Sequence, residues 1–256
     1  MASVKITFIG HASFKFESEE GTIIYFDAWL DANPTAKMKL SQVRKADIVI
    51  ATHGHGDHVG DAFEICKRTR AKFIGNYEMC LVAEAHGLKM GTRAMSMNPG
   101  GTVKVKDATI TMTQAIHSLS MAPFLKHGPP KEGEYFRPDS CVSGFTIAFD
   151  NGITIYDTSD TCLFSDMQLI GQMHGPQIAI MPVGGQYTMG VREAARAASL
   201  IRPDIVIPCH YGEVMGQPAD IGQLSREVAF LSPNTKVAAM EPGQTLTYKS
   251  SSYSVK

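Results

Sequence analysis

Cysteine is scarce in this 256-residue chain, which has five cysteines and no Cys-x-x-Cys pair. An odd number of widely spaced cysteines supports neither a disulfide framework nor a structural zinc site made of thiolates. We expect all of them except Cys209 to be buried thiols that act as small apolar side chains. Cys209 is set apart because it directly precedes His210.

An excess of basic charge is also missing, since 24 Lys and Arg residues face 25 Asp and Glu residues and the net charge is −1. Phosphate backbones are bound by clustered Lys and Arg side chains, so we expect no nucleic acid partner. No apolar run reaches about 18 residues, and the first residues lack the charged-then-apolar order of a signal peptide. We therefore expect no membrane partner and a cytoplasmic location. A Gly-x-Ser-x-Gly segment is absent as well, which argues against a serine hydrolase.

What the chain does have is a dense group of histidines directly after an apolar strand predicted over residues 47–51. In an extended segment, side chains two residues apart point the same way, so His53 and His55 can bind one ion. Asp57 and His58 leave the backbone in different directions, and they suit a neighbouring ion or a water bound to it. The pattern predicts two divalent metals, zinc first, with manganese, iron or nickel as alternatives. A histidine-rich loop that binds no metal is the competing interpretation.

Alternating and apolar segments elsewhere predict a mixture of strands and helices. An antiparallel meander is expected within residues 4–26, and strand-helix alternation follows it. We expect one domain over 1–256 with two similar halves, about 1–118 and 119–256, in which two sheets pack face to face with helices outside. Residues 119–139 are too irregular for a core element and predict a long loop at the rim of a site.

The run His53-x-His55-x-Asp57-His58 resembles the signature of the metallo-β-lactamase superfamily. The resemblance implies an α/β fold of four layers, the αββα sandwich, with further metal ligands at later strand ends. The implied ligand set is His53, His55 and His117 for one metal, Asp57, His58 and His210 for the other, and Asp160 as a bridge. Asp157 is an alternative to Asp160 or a cap for the turn that follows, although Asp160-Thr161 resembles the family more closely.

Further segments look like the branch of this superfamily that contains L-ascorbate-6-phosphate lactonase. They cover residues 10–14, 27–34, 181–185, 188–190 and 208–212. The branch implies a small-molecule substrate and a homo-oligomer. Asp27 is expected to support a ligand histidine from behind. His11 is either a residue near the site or a polar turn residue between two strands.

These observations predict a metal-dependent hydrolase in which a hydroxide held by two metals attacks a small ester, lactone or phosphoester. Asp57 is the predicted catalytic residue, because it can orient the hydroxide and receive its proton. A nuclease or phosphodiesterase of the same fold is the alternative enzyme, and the neutral charge disfavours it. A di-iron oxidoreductase would prefer a carboxylate in place of His55. A non-catalytic metal-binding protein is disfavoured by the complete ligand set.

Overall fold

The structure is a computed structural model that describes residues 2–118, 141–212, 214–250 and 252–255. The loop predicted at 119–139 lies outside the described residues. Within the described ranges the chain forms fifteen strands, six α-helices and two short 3-10 turns. No helix among them has the length and apolar character needed to cross a membrane.

The strands are, in chain order, β1 (Ser3–Gly10), β2 (Ser13–Ser18), β3 (Ile23–Phe26), β4 (Ile48–Ile50), β5 (Lys72–Asn76), β6 (Ala94–Met97), β7 (Thr102–Val105), β8 (Ala108–Gln114), β9 (Ser143–Phe149), β10 (Thr154–Asp157), β11 (Ile178–Pro182), β12 (Ile205–Cys209), β13 (Lys236–Val237), β14 (Thr245–Lys249) and β15 (Ser252–Val255). The helices are α1 (Gly56–Val59), α2 (Ala62–Thr69), α3 (Tyr77–Ala85), α4 (Met167–His174), α5 (Val191–Ile201) and α6 (Ile221–Leu231), and the 3-10 turns are Leu40–Gln42 and Val214–Gly216.

The first sheet has eight strands in the order β15-β14-β1-β2-β3-β4-β5-β6. The meander predicted for the first residues is confirmed, because β1, β2 and β3 pair in antiparallel fashion. From β3 to β6 the pairing is parallel. Strands β1, β3 and β4 therefore run in the same direction, and the loops that follow them emerge at one edge of the sheet.

The second sheet has seven strands in the order β13-β12-β11-β10-β9-β8-β7. Strands β10, β11 and β12 are parallel. Strand β9 is antiparallel to both β8 and β10, so β8 also runs with this group. The ends of β8, β10 and β12 consequently share an edge, as the ends of β1, β3 and β4 do in the first sheet.

Three groups of buried apolar side chains separate four layers. Along β4, Ile48 and Ile50 belong to the group between the two sheets, whereas Val49 belongs to the group beneath α2 and α3. Along β12, Ile207 faces the other sheet and Val206 packs toward α5 and α6. Successive side chains of a strand point to opposite faces, so each sheet packs against the other sheet on one face and against helices on the other. The expected αββα sandwich is confirmed.

The spacing of Val59, Ala62, Phe63 and Cys66 predicts one helix over about 59–68. The prediction is wrong in one respect, because the helix is interrupted at Gly60. This glycine has a φ of +38°, and a Cβ there would lie 2.4 Å from the Cα of Trp29. The chain therefore forms the short α1, turns at a residue that must be glycine, and restarts as α2. Strands β6 and β15, at the outer edges of the first sheet, were not predicted from the sequence.

The sheets also divide the chain differently from the two halves proposed at about residue 118. Strands β7 and β8 already belong to the second sheet, and β14 and β15 return to the first. Two cysteines depart from the expected burial, since Cys162 is exposed and Cys141 is only partly buried. Cys66, Cys80 and Cys209 are buried, and Cys209 packs between the sheets.

Candidate metal centre

All seven predicted ligands lie in segments that leave the sheets at their common edge. The segments follow β4 for His53 and His55, form α1 for Asp57 and His58, and follow β8 for His117, β10 for Asp160 and β12 for His210. Parallel strands from two sheets thus deliver side chains that are far apart in sequence to one place.

The first group consists of His53, His55 and His117, whose donor atoms lie within 4.8 Å of one another. His53 Nε2 and His55 Nδ1 are 2.9 Å apart, and the ring of His117 is 5.5 Å from that of His53 between centroids. His53 is fully buried, and burial followed by the charge of His58 lowers its pKa well below the usual range. The group therefore offers neutral imidazole nitrogens.

The second group is arranged around two carboxylates. Oδ2 of Asp160 lies 3.0 Å from His210 Nε2 and 3.2 Å from His58 Nε2. Oδ2 of Asp57 lies 3.6 Å from both of these nitrogens. His117 Nε2 is 3.7 Å from Asp160 Oδ2, so Asp160 touches histidines from both groups.

Charge in the second group is strongly coupled. Burial alone would raise the pKa of Asp160, but His58 and His210 hold it well below its usual range. Burial likewise opposes the charged form of His210, yet Asp160 and Asp57 raise its pKa to about 9. The pKa of His58 is raised in the same way by Asp160, Asp27 and Asp57 against the effect of burial. Without a metal, protons on these two imidazoles balance the carboxylates.

Asp27 supports His58 from behind, as expected. Its Oδ2 accepts hydrogen bonds from His58 Nδ1 at 2.6 Å and from the hydroxyl of Thr52 at 2.8 Å, while its Oδ1 accepts from the amide of Thr52. The same hydroxyl lies 2.9 Å from His53 Nδ1. Carboxylate contacts of this kind fix the tautomer of a metal-ligating histidine, leaving Nε2 free for the ion. The role of Thr52 was missed, although its place directly before His53 was a signal.

Asp157, the alternative to Asp160, faces a different partner. Its Oδ1 accepts a hydrogen bond from the amide of Ser159 at 2.9 Å, so it caps the turn between the two aspartates. Burial and the neighbouring Asp27 raise its pKa well above the usual range. Thr161 then anchors this turn, because its Oγ1 accepts from the amide of Ile116 and its carbonyl from the amide of Met189.

The backbone at the site is strained. His11, Asp27, Ser159 and His210 all have φ between 45° and 60° although none is glycine. Non-glycine residues in this region are uncommon and cluster at functional sites. His11 is 2% exposed and its Nε2 lies 3.1 Å from Asp57 Oδ2, which resolves the question left by the sequence in favour of a residue near the site.

The donor set fits divalent metal ions. His58 Nε2 is buried and has no hydrogen-bond partner among the described residues, although it faces two carboxylates. The described residues form three groups of nitrogen and carboxylate oxygen donors, two of which share His53. Such donors are the ligands that zinc and similar ions take in proteins. Which of these side chains bind metal stays a prediction.

Comparison with known proteins decides the family. The model of the Beta-lactamase superfamily domain matches residues 22–211, a stretch that contains every predicted ligand. The chain belongs to this superfamily. Among curated members, a UPF0173 metal-dependent hydrolase of Methanopyrus kandleri is 38% identical over 94% of this chain and 99% of its own. A UPF0173 metal-dependent hydrolase of Koribacter versatilis is 36% identical over 96% and 98%.

A solved structure agrees with the fold. Igni18, a metallo hydrolase of Ignicoccus hospitalis, superposes with a TM-score of 0.80 at 33% identity and covers 96% of this chain and 99% of its own. The predicted enzyme class, a metal-dependent hydrolase, agrees with the names of these superfamily members. The finer resemblance to the lactonase branch stays a prediction.

Proposed function

We propose that the chain is a binuclear metal-dependent hydrolase that acts on a small ester, lactone or phosphoester. The observation that carries the proposal is the placement of Asp160, whose Oδ2 lies within 3.7 Å of His58, His117 and His210. Such a carboxylate is suited to join two ions. The names of the relatives support the hydrolase class, and the substrate is inferred from the chemistry of the site.

When bound, two divalent ions would lower the pKa of a shared water and polarise the oxygen of the bond to be cleaved. His53, His55 and His117 would hold one ion. Asp57, His58 and His210 would hold the other, with Asp160 between the two. The zinc ion is our first choice, because imidazole nitrogens form most of the set.

Asp57 is the proposed proton acceptor and is the less buried carboxylate of the pair. Burial alone would raise its pKa, but His58, the hydrogen bond from His11 and the nearby His210 hold it below the usual range. Asp57 is therefore ionised at neutral pH and can accept a hydrogen bond from the attacking water, which orients it toward the substrate. Asp160 lies deeper and is proposed only as a ligand.

The half-buried His55 and His117 lie on the more accessible side of the site, whereas His53, His58 and His210 are buried. The scissile group is therefore expected to approach from the side of His55 and His117. The balanced charge of the chain favours a small substrate over a nucleic acid.

The test combines elemental analysis with hydrolysis of a panel of lactones, phosphodiesters and thioesters, before and after chelation. We expect about two ions per chain and one class of substrate whose hydrolysis disappears with the metal and returns with it. His117→Ala should lower the metal content, and His174→Ala serves as the matched control because that histidine lies at the end of α4 beside Thr146.

A chain that binds no metal in metal-supplemented buffer would contradict the binuclear proposal. Full metal content without hydrolysis of any panel member would favour a non-catalytic metal-binding protein instead. Selective cleavage of phosphodiesters would identify the alternative enzyme, a phosphodiesterase of the same fold.

A further inference from the structure

His11 is the one histidine near the centre that the superfamily pattern leaves without a role. It follows β1 directly, more than 40 positions before the histidine cluster. Its Nε2 lies 3.1 Å from Oδ2 of Asp57, closer than either His58 or His210, which are both at 3.6 Å from the same oxygen. Three imidazole nitrogens therefore surround one carboxylate oxygen.

The spacing of these atoms matches that of ligands sharing an ion. Donors bound at about 2.0–2.2 Å in tetrahedral or octahedral geometry lie about 3.0–3.5 Å from one another. The donor atoms of His11, Asp57 and His210 all lie within 4.8 Å of one another, and the rings of the two histidines are 4.0 Å apart between centroids. The 3.1 Å between His11 Nε2 and Asp57 Oδ2 thus falls within the separation expected for two ligands of one ion.

The backbone at His11 adopts a strained left-handed conformation. It has a φ of 58°, and its carbonyl accepts a hydrogen bond from the amide of His210 at 2.9 Å. The side chain of Asn33 donates to the carbonyl of Gly10, which fixes the turn from the other side. An ordinary polar turn residue would be exposed, whereas His11 is buried with its ring against His210 and Trp29.

We propose that His11 is a ligand of the metal ion held by Asp57 and His210. The inference rests on the proposed binuclear site and extends it, since it adds a histidine from the first strand to an ion otherwise held by α1 and the loops after β10 and β12. A further neutral nitrogen shifts the preference of this ion from magnesium or calcium toward zinc, cobalt or nickel. The competing role is that of a positioning residue, in which His11 only donates a hydrogen bond to Asp57.

The test replaces the histidine by His11→Asn, because asparagine tolerates the left-handed backbone that this position requires. Metal affinity is measured by competition with a chromogenic chelator, and thermal melting confirms that the variant is folded. We expect the wild type to bind two ions and the variant to bind one of them unchanged. Affinity for the other ion should fall by more than about 100-fold, beyond the 10–100-fold that supporting residues cause.

A spectroscopic count separates a ligand from a positioning residue. In the cobalt-substituted protein, each ligating imidazole gives a paramagnetically shifted ring N–H signal. His11 Nδ1 is buried, so a proton on it is shielded from exchange with solvent. We expect one such signal to disappear in His11→Asn and none in the control His174→Ala.

Persistence of every shifted signal, or wild-type affinity for both ions in the variant, would overturn the assignment and leave His11 as a hydrogen-bond donor to Asp57. Failure of the wild type to bind a second ion would instead contradict the binuclear proposal itself. The two failures are therefore distinguishable in the same set of titrations.

Discussion

The substitution Asp27→Asn tests whether the hydrogen bond from His58 to Asp27 orients His58, and it replaces none of the predicted ligands. The asparagine is nearly isosteric, and its amide oxygen can still accept the hydrogen bond from the amide of Thr52. Its NH2 group must then face the side on which Thr52 Oγ1 and His58 Nδ1 now contact Oδ2 at 2.8 and 2.6 Å. A donor at that position favours the His58 tautomer with the proton on Nε2, which is the wrong one for binding an ion.

The magnitude follows from these contacts. Hydrogen bonds to a charged group contribute about 1.5–3 kcal/mol, and the contact between Asp27 and His58 is of this kind. If that energy is lost from the metal-bound state, affinity for the ion at His58 falls by about 10–100-fold, in agreement with the usual effect of such supporting residues. We expect the ion at His53 and His55 to be affected less, because Thr52 links Asp27 to His53 only indirectly.

The assay is a competitive zinc titration at neutral pH, accompanied by thermal melting of the metal-free form. The matched control is Asp107→Asn, which changes another buried carboxylate, one that accepts a hydrogen bond from Thr22 at the opposite end of the sandwich. Wild-type affinity for both ions in Asp27→Asn would refute the reasoning that this carboxylate fixes the tautomer of His58.

Three further predictions concern stability and thiol chemistry. The free energy of unfolding of the metal-free protein should be greatest near pH 6.5. Above pH 6.5 the stability should fall, because the unfolded chain loses a proton that His210, with its pKa raised to about 9, keeps in the folded state. Below pH 6.5 the stability should also fall, because His53, His55 and His117 have lowered pKa values and bind protons more readily in the unfolded chain. Urea titrations of chelated protein between pH 5 and 9.5 check this, and a flat profile would contradict it. Gly60→Ala should cost more than about 3 kcal/mol in the same assay, because of the close backbone contact at Trp29, whereas Gly87→Ala, with nothing near its Cβ, should cost about 1 kcal/mol. An aromatic disulfide reagent should modify exposed Cys162 in the native protein but not Cys66 or Cys80, whose pKa values burial raises to about 12; early reaction of either buried thiol would argue against this packing.

The order of ligands could be predicted from the sequence because each one follows an apolar strand. The sequences before His53 and His210 are continuously apolar, and the strand before His117 alternates threonine with apolar residues. These ligands meet because the strands that precede them in the two sheets end at the same edge of the sandwich. Hydrophobic periodicity alone does not reveal that relation between the sheets. At the sequence level, only the resemblance to the superfamily indicated that the ligands meet. In the structure, the strand order and the contacts between the histidine rings show it directly.

The features that escaped prediction depend on tertiary contacts. Strand β6 contains methionine, serine and alanine rather than β-branched residues, so its extended form reflects pairing with β5. The break at Gly60 reflects the backbone of Trp29, which is distant in sequence. The sequence left the role of His11 open between a site residue and a turn residue, because its burial depends on contacts with Trp29 and His210 that sequence patterns do not report.

The left-handed backbone of four residues at the centre links the stability of the protein to its supply of metal. Each of His11, Asp27, Ser159 and His210 costs roughly 1 kcal/mol in backbone strain, so together they remove a substantial part of the 5–15 kcal/mol by which a domain is typically stable. Ions that bind only the folded chain would restore stability by mass action. Under metal starvation, the apo form should therefore open more often and be degraded faster by proteases, so that the abundance of the protein would follow the metal supply.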